Sequence, residues 1–167
     1  MRILGIDPGT QVCGYGVIET HGRDVRALDY GVVRSSSDSL PDRLRVIYEG
    51  LRTIIERFEP DVVVVEGAFF GKDARSALKI GEGRGVALLA AAASGLGVVE
   101  YAPAEVKKSV VSTGRAHKSQ VQQMVRVLLA LRELPEPEDA ADALAIALCH
   151  YHRSAFGAAA TPSGGTA

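Results

Sequence analysis

Four carboxylates, Asp7, Glu66, Asp139 and Asp142, are the residues of this chain best placed to do chemistry. Asp7 follows the apolar run Ile3-Leu4-Gly5-Ile6, and Glu66 closes the run Val62-Val63-Val64-Val65. Asp139 and Asp142 stand three apart in a stretch otherwise rich in Ala, Leu and Ile. Each acid alone has a plain reading: an Asx-type turn for Asp7, a solvated strand end for Glu66, a helix-capping residue for Asp139. Together, acids assembled at one end of one sheet repel one another unless a cation neutralises them. Clustered carboxylate oxygens suit hard divalent ions. Two such ions about 3.5–4 Å apart clamp a phosphodiester for in-line displacement. The chemistry expected is metal-assisted hydrolysis of a phosphodiester, with the four acids as the catalytic set and Asp7, Glu66 and one or both of Asp139 and Asp142 as metal ligands.

Cationic and aromatic residues fit a nucleic-acid substrate. Residues 106–132 carry Lys107, Lys108, Arg115, Lys118, Arg126 and Arg132 and no acid, a local basic stripe of the kind that meets phosphates. Lys107, Lys108, Arg115 and Lys118 are the expected phosphate contacts. Phe69-Phe70-Gly71-Lys72 follows the Glu66 strand. Two adjacent phenylalanines in a glycine-flanked loop do not easily share one core, so Phe69 and Phe70 are candidates to stack on or wedge between bases, with Lys72 beside them.

Positioning these groups requires a layered α/β domain. Three strands come first, about 3–6, 14–18 and 26–34, joined by turns too short for crossovers and therefore antiparallel. A helix follows over 41–58, with apolar residues from Leu44 to Phe58 at three- and four-residue steps. The valine run 61–66 is a buried central strand, 74–94 a helix, 98–101 a strand, and 103–111, 118–131 and 138–153 helices. If the first and fourth strands are neighbours, Asp7 and Glu66 meet. Asp139 and Asp142 share a helical face, and that helix must cross the strand ends to close the cluster. Gly81, Gly83 and Gly85 in the 74–94 helix leave room for another backbone.

With 167 residues and 47% apolar side chains, the chain suits one domain, taken as 1–155, with a disordered Ala/Gly/Ser/Thr/Pro tail over 156–167. No apolar run approaches a bilayer span and none reads as a signal peptide, so a cytoplasmic protein without a membrane partner is expected. Cys13 and Cys149 lack metal-site spacing and read as buried, reduced thiols. A formal net charge of −1 shows that the overall charge does not mark a nucleic-acid binder; only the local stripe does.

The motifs also resemble a family. Ile-Leu-Gly-Ile-Asp-Pro-Gly-Thr at 3–10, Gly-Tyr-Gly at 14–16, Leu-Pro-Asp-Arg-Leu at 40–44, Ser-Ala-Leu-Lys at 76–79, Arg-Gly-Val-Ala at 84–87, Lys-Ser-Gln-Val-Gln at 118–122 and the stretch from Asp139 to Ala147 are similar to the RuvC family of bacterial Holliday junction resolvases, over nearly all of 1–153. The resemblance implies a ribonuclease H-like fold of the retroviral-integrase superfamily, with a mixed five-stranded sheet and helices on both faces. It implies a homodimer that nicks opposing strands of four-way junction DNA in recombination and repair, leaving 5′-phosphates and using two Mg²⁺ or Mn²⁺ ions per active site. It maps the catalytic acids onto Asp7, Glu66, Asp139 and Asp142, the wedging aromatic onto Phe69 and functional lysines onto Lys107 and Lys118. It places the 74–94 helix at the dimer interface. It adds a junction-migrating helicase complex, RuvA and RuvB, as partner. The Asp-Pro-Gly-Thr loop also resembles the phosphate loop of actin-like ATPases, but those need a second such loop and a second domain. A non-catalytic junction-binding module is the other alternative, and the intact acid set argues against it.

Overall fold

The computed structural model describes residues 1–67, 74–113 and 117–159, with backbone alone for 74–76 and 155–159. Strands β1 (Arg2–Asp7), β2 (Val12–His21) and β3 (Asp24–Arg34) lead into helix α1 (Leu40–Phe58). Then come β4 (Val62–Glu66), α2 (Ala74–Ala93), β5 (Val98–Tyr101), α3 (Pro103–Val111), α4 (Lys118–Leu128) and α5 (Glu138–Ala159). The sheet order is β3-β2-β1-β4-β5. β1–β2 and β2–β3 are antiparallel, as their short turns require. β1–β4 and β4–β5 are parallel, the pairing that crossovers through α1 and α2 permit.

Alternation along the strands sorts side chains into two layers. Ile3, Ile18 and Val64 face one way and pack with Val106, Val110, Val121, Val125 and Leu144 from α3, α4 and α5. Leu4, Ile6, Val17, Val63 and Val65 face the other way, onto Ile47, Leu51, Ile54 and Ile55 of α1 and Ala87, Ala90 and Ala91 of α2. Each fully buried Leu or Ile stabilises by roughly 1.5–3 kcal/mol. Cys13 and Cys149 are buried free thiols.

Helix ends differ from expectation where a non-glycine residue makes the turn. α4 stops at Leu128, not 131, because Ala130 is left-handed (φ 49°). Its N–H donates to the Val127 carbonyl at 3.2 Å, and the Leu131 N–H to the Arg126 carbonyl at 2.9 Å, which together form a Schellman closure. α2 ends the same way, with Gly95 at φ 72°. α5 runs on to Ala159, past the expected 153. The remainder of the expected tail, 160–167, lies outside the described residues.

Candidate active site

The acids converge because of strand parity and three glycines. Ile3, Gly5 and Asp7 share the α5 side of β1, as Val62, Val64 and Glu66 share that side of β4. Ile6 registers with Val65, so the residues that follow, Asp7 and Glu66, end adjacent strands on one face. Across β1, Asp7 pairs with Gly14. Gly14 touches the backbone of Asp139: a Cβ there would lie 2.0 Å from the Asp139 carbonyl oxygen. A Cβ on Gly5 would lie 2.1 Å from the carbonyl oxygen of Ala143, and one on Gly16 would lie 2.8 Å from the Leu144 nitrogen. α5 therefore rests on a strip of the sheet with no side chains. That seating lowers its first turns, carrying Asp139 and Asp142, onto the ends of β1 and β4. The loop after Asp7 is braced from the opposite side, where a Cβ on Gly83 of α2 would stand 2.8 Å from the Gly9 backbone. Of the three α2 glycines, Gly83 alone makes such a close approach within the chain; Gly81 and Gly85 have open space beside them.

The result is a cavity of about 230 Å³ lined by Asp7, Glu66, Pro103, Val106, Lys107, Lys118, Val121, Asp142 and Ala145. Asp7, Glu66, Asp139 and Asp142 are each half-buried. Burial, then the charges of Asp142, Glu66 and Asp139, push the Asp7 carboxyl up to about 7, with Lys118 opposing. Burial and Asp142 raise Glu66 as well, against Lys118 and Lys107. The Lys118 ammonium donates to Asp142 Oδ2 at 3.1 Å, and this bond raises its pKa. Among the described residues, no three His, Cys, Asp or Glu side chains stand in ready-made metal-cage geometry. The donor set nonetheless fits a hard divalent cation. It is all oxygen and anionic, it is electrostatically frustrated, and it lies at the N-terminus of α5, whose dipole favours negative charge.

Among the described residues, the cations of the basic stripe line three separate clefts. Lys107 and Lys118 line the acid cavity. Lys108, one residue on and turned by about 100°, lines a separate cleft with Glu105, Ser109, His152 and Arg153. Arg126 and Arg132 lie in a third cleft with Tyr30, Glu133, Leu134 and Glu136. Phe69, Phe70, Lys72 and Arg115 lie outside the described residues. The histidines stay out of the site: His150 pairs with the Tyr101 hydroxyl at 3.0 Å, and His152 Nδ1 donates to the Ser109 carbonyl at 3.0 Å.

Two contributors escaped the sequence reading. Glu138 lies 3.9 Å from the Lys118 ammonium. The docking glycines, Gly5 in β1 and Gly14 and Gly16 in β2, left a trace only as glycines inside strands.

A five-stranded mixed sheet with carboxylates at the ends of two central parallel strands and on the closing helix defines a ribonuclease H-like nuclease. Similarity to known proteins narrows this. The family profile "Crossover junction endodeoxyribonuclease RuvC" matches residues 3–150. The RuvC of Heliobacterium modesticaldum is 54% identical over 160 residues, covering 95% of this chain and 99% of that protein. RuvC of Thermus thermophilus, solved in complex with a Holliday junction substrate, superposes with a TM-score of 0.87 at 37% identity, over 94% of this chain and 96% of that one. The yeast mitochondrial Holliday junction resolvase Ydc2, at 15% identity and a TM-score of 0.64 over 93% of this chain and 85% of its own, shares the fold. The chain belongs to the RuvC family.

Proposed function

We propose that this protein resolves four-way DNA junctions by paired, symmetric nicks, acting as a homodimer with Mg²⁺ or Mn²⁺ held by Asp7, Glu66, Asp139 and Asp142. The observation that carries the reading is the seating of α5 on Gly5, Gly14 and Gly16, which gathers Asp7, Glu66, Asp142 and two lysines around one cavity, with Asp139 close enough for its charge to act on Asp7. The divalent ions, when bound, supply charge neutralisation at the scissile phosphate and activation of water. Asp7 and Glu66 at the strand ends and Asp139 and Asp142 on α5 would hold the ions. Lys107 and Lys118 stand beside these acids as cationic contacts for the phosphodiester backbone. Phe69 and Phe70 are the proposed wedge at the junction centre, with Lys72, Lys108 and Arg115 as further DNA contacts.

Symmetric cutting needs two sites, and α2 offers a face for pairing. Gly83, Ala87, Ala90 and Ala91 turn inward. Leu78 (64% exposed) and Leu89 (58% exposed) lie outward on the stripe that also holds Gly81 and Gly85. Exposed leucines flanking open glycines at helical spacing suit a close helix–helix contact with a second copy. Leu89→Arg is expected to leave the fold intact and shift the protein from dimer to monomer in sedimentation equilibrium. A dimer of unchanged strength would place the interface elsewhere. The helicase complex of RuvA and RuvB is the proposed partner on family grounds. Among the described residues no helix is long and apolar enough to cross a membrane, and the proposed location is the cytoplasm.

The test is incubation of a synthetic four-way junction with the protein, with Mg²⁺, with Mn²⁺ and with chelator. Expected are two opposed nicks, metal-dependent, sealable by ligase because they carry 5′-phosphates. Uniform cutting of linear duplex would mean a general nuclease, binding without nicking a recognition module, and ATP hydrolysis without nicking an ATPase.

A further inference from the structure

Lys118 occupies an electrostatically awkward place. It is the first residue of α4, where the positive end of the helix dipole disfavours a cation. Its side chain is 62% exposed, free in principle to extend into solvent. It instead crosses to another helix and donates to Asp142 Oδ2 at 3.1 Å, with Glu138 Oε2 at 3.9 Å. Asp142 sits one turn into α5 and lines the same cavity as Asp7 and Glu66. The ammonium thus brings positive charge to the edge of the acid cluster, on a carboxylate that a divalent ion would also use.

We infer that Lys118 is a tethered counter-ion. In the metal-free protein it holds Asp142 and offsets the repulsion among the acids. When a divalent cation takes Asp142, the ion and the ammonium are two cations on one carboxylate, and their repulsion displaces Lys118 from it. α4 anchors its backbone at the rim of the cavity, so the released ammonium remains beside the site. The nearest new anion is the substrate phosphate. Metal arrival and phosphate capture are then coupled: the metal frees the lysine that grips the DNA, and by linkage the DNA, by engaging that lysine, strengthens metal binding. This inference rests on the proposed metal site and adds a competing occupant to it.

Calorimetric titration of Mn²⁺ into DNA-free protein tests it with four proteins: wild type, Lys118→Met, Lys118→Arg and Asp7→Asn. Lys118→Met removes the competitor and is expected to bind Mn²⁺ about three- to tenfold more tightly. Lys118→Arg, which keeps the charge, is expected to stay near wild type, and Asp7→Asn to lose most Mn²⁺ binding. Thermal melting supplies a second readout. Lys118→Met is expected to melt below wild type without metal, and the gap to close at saturating Mn²⁺. A simple packing defect would leave the gap open. Equal or weaker Mn²⁺ binding by Lys118→Met, with Asp7→Asn still defective, overturns the counter-ion role and leaves the metal site standing. Wild-type Mn²⁺ binding by Asp7→Asn overturns both.

Discussion

Asp7→Asn retains junction binding and loses cleavage by at least about 10³-fold, the expected cost of removing several kcal/mol of transition-state charge stabilisation. Binding survives because it draws on the cationic residues around the site and on the backbone-contacting surface rather than on the acids. The same substitution has an opposite effect on stability. Burial and three neighbouring acids push the Asp7 carboxyl from 3.8 to about 7. A carboxyl raised in the folded state contributes stability that is complete below its unfolded pKa and lost as pH rises through its folded one. The metal-free wild type is therefore expected to weaken between about pH 4 and pH 7 on account of this group. Asparagine carries no such charge. Allowing for relief by solvent and by Lys118, the difference at pH 8 is on the order of 2 kcal/mol. In a domain of this size that raises the melting temperature by roughly 4–8 °C. The gain shrinks at pH 5, and in the wild type saturating Mn²⁺ offsets it. A variant that is both inactive and more stable when metal-free is the signature of a charged ligand site; an inactive variant that is also less stable would indicate a structural aspartate.

Gly14→Ala carries the second large effect, and no charge is involved. The new Cβ would meet the carbonyl oxygen of Asp139 at 2.0 Å and its carbonyl carbon at 2.6 Å. Both are backbone atoms, so no rotamer change relieves the clash, and α5 must lift from β2. Overpacking of this kind costs about 3 kcal/mol or more, a drop of roughly 6–12 °C in melting temperature. Lifting α5 also draws Asp139 and Asp142 away from Asp7 and Glu66. A shift of about 1 Å at a catalytic group is worth about 10²-fold in rate. Gly5→Ala, which meets the Ala143 carbonyl oxygen at 2.1 Å, is expected to behave alike. Gly97→Ala is the control, since nothing lies within 4 Å of a Cβ there and its backbone is not left-handed; its melting curve and its cleavage rate are expected to match wild type.

The legible part of this molecule is the part governed by short-range periodicity. Apolar runs ending in Asp7 and Glu66 announce strands, and two-residue alternation decides which face each acid takes once β1 and β4 pair. The short turns between β1, β2 and β3 announce antiparallel pairing, and α3 begins at Pro103 where a proline suits the first turn. What was not legible depends on long-range contact. Gly14 and Gly16 could be seen as glycines, but nothing local says that a helix more than 120 residues later lies on them. The stop of α4 is hidden for another reason: Ala130 takes a left-handed conformation that glycine would have advertised. How the basic stripe divides among clefts depends on geometry that a run of charges does not show. Consecutive residues on a helix point about 100° apart, so Lys107 reaches the acids while Lys108 faces another cleft. The pairing of Lys118 with Asp142 joins α4 to α5 and could be found only once both helices were packed.

The measurement that bears most directly on the site is a crystal structure of the protein soaked in Mn²⁺, with data collected at the manganese edge. Two anomalous peaks are expected, coordinated by carboxylate oxygens of Asp7, Glu66, Asp139 and Asp142, with the Lys118 ammonium moved off Asp142. Manganese bound elsewhere, or a cluster that stays empty at saturating metal with Lys118 still on Asp142, would contradict the assignment of these four acids as the metal centre.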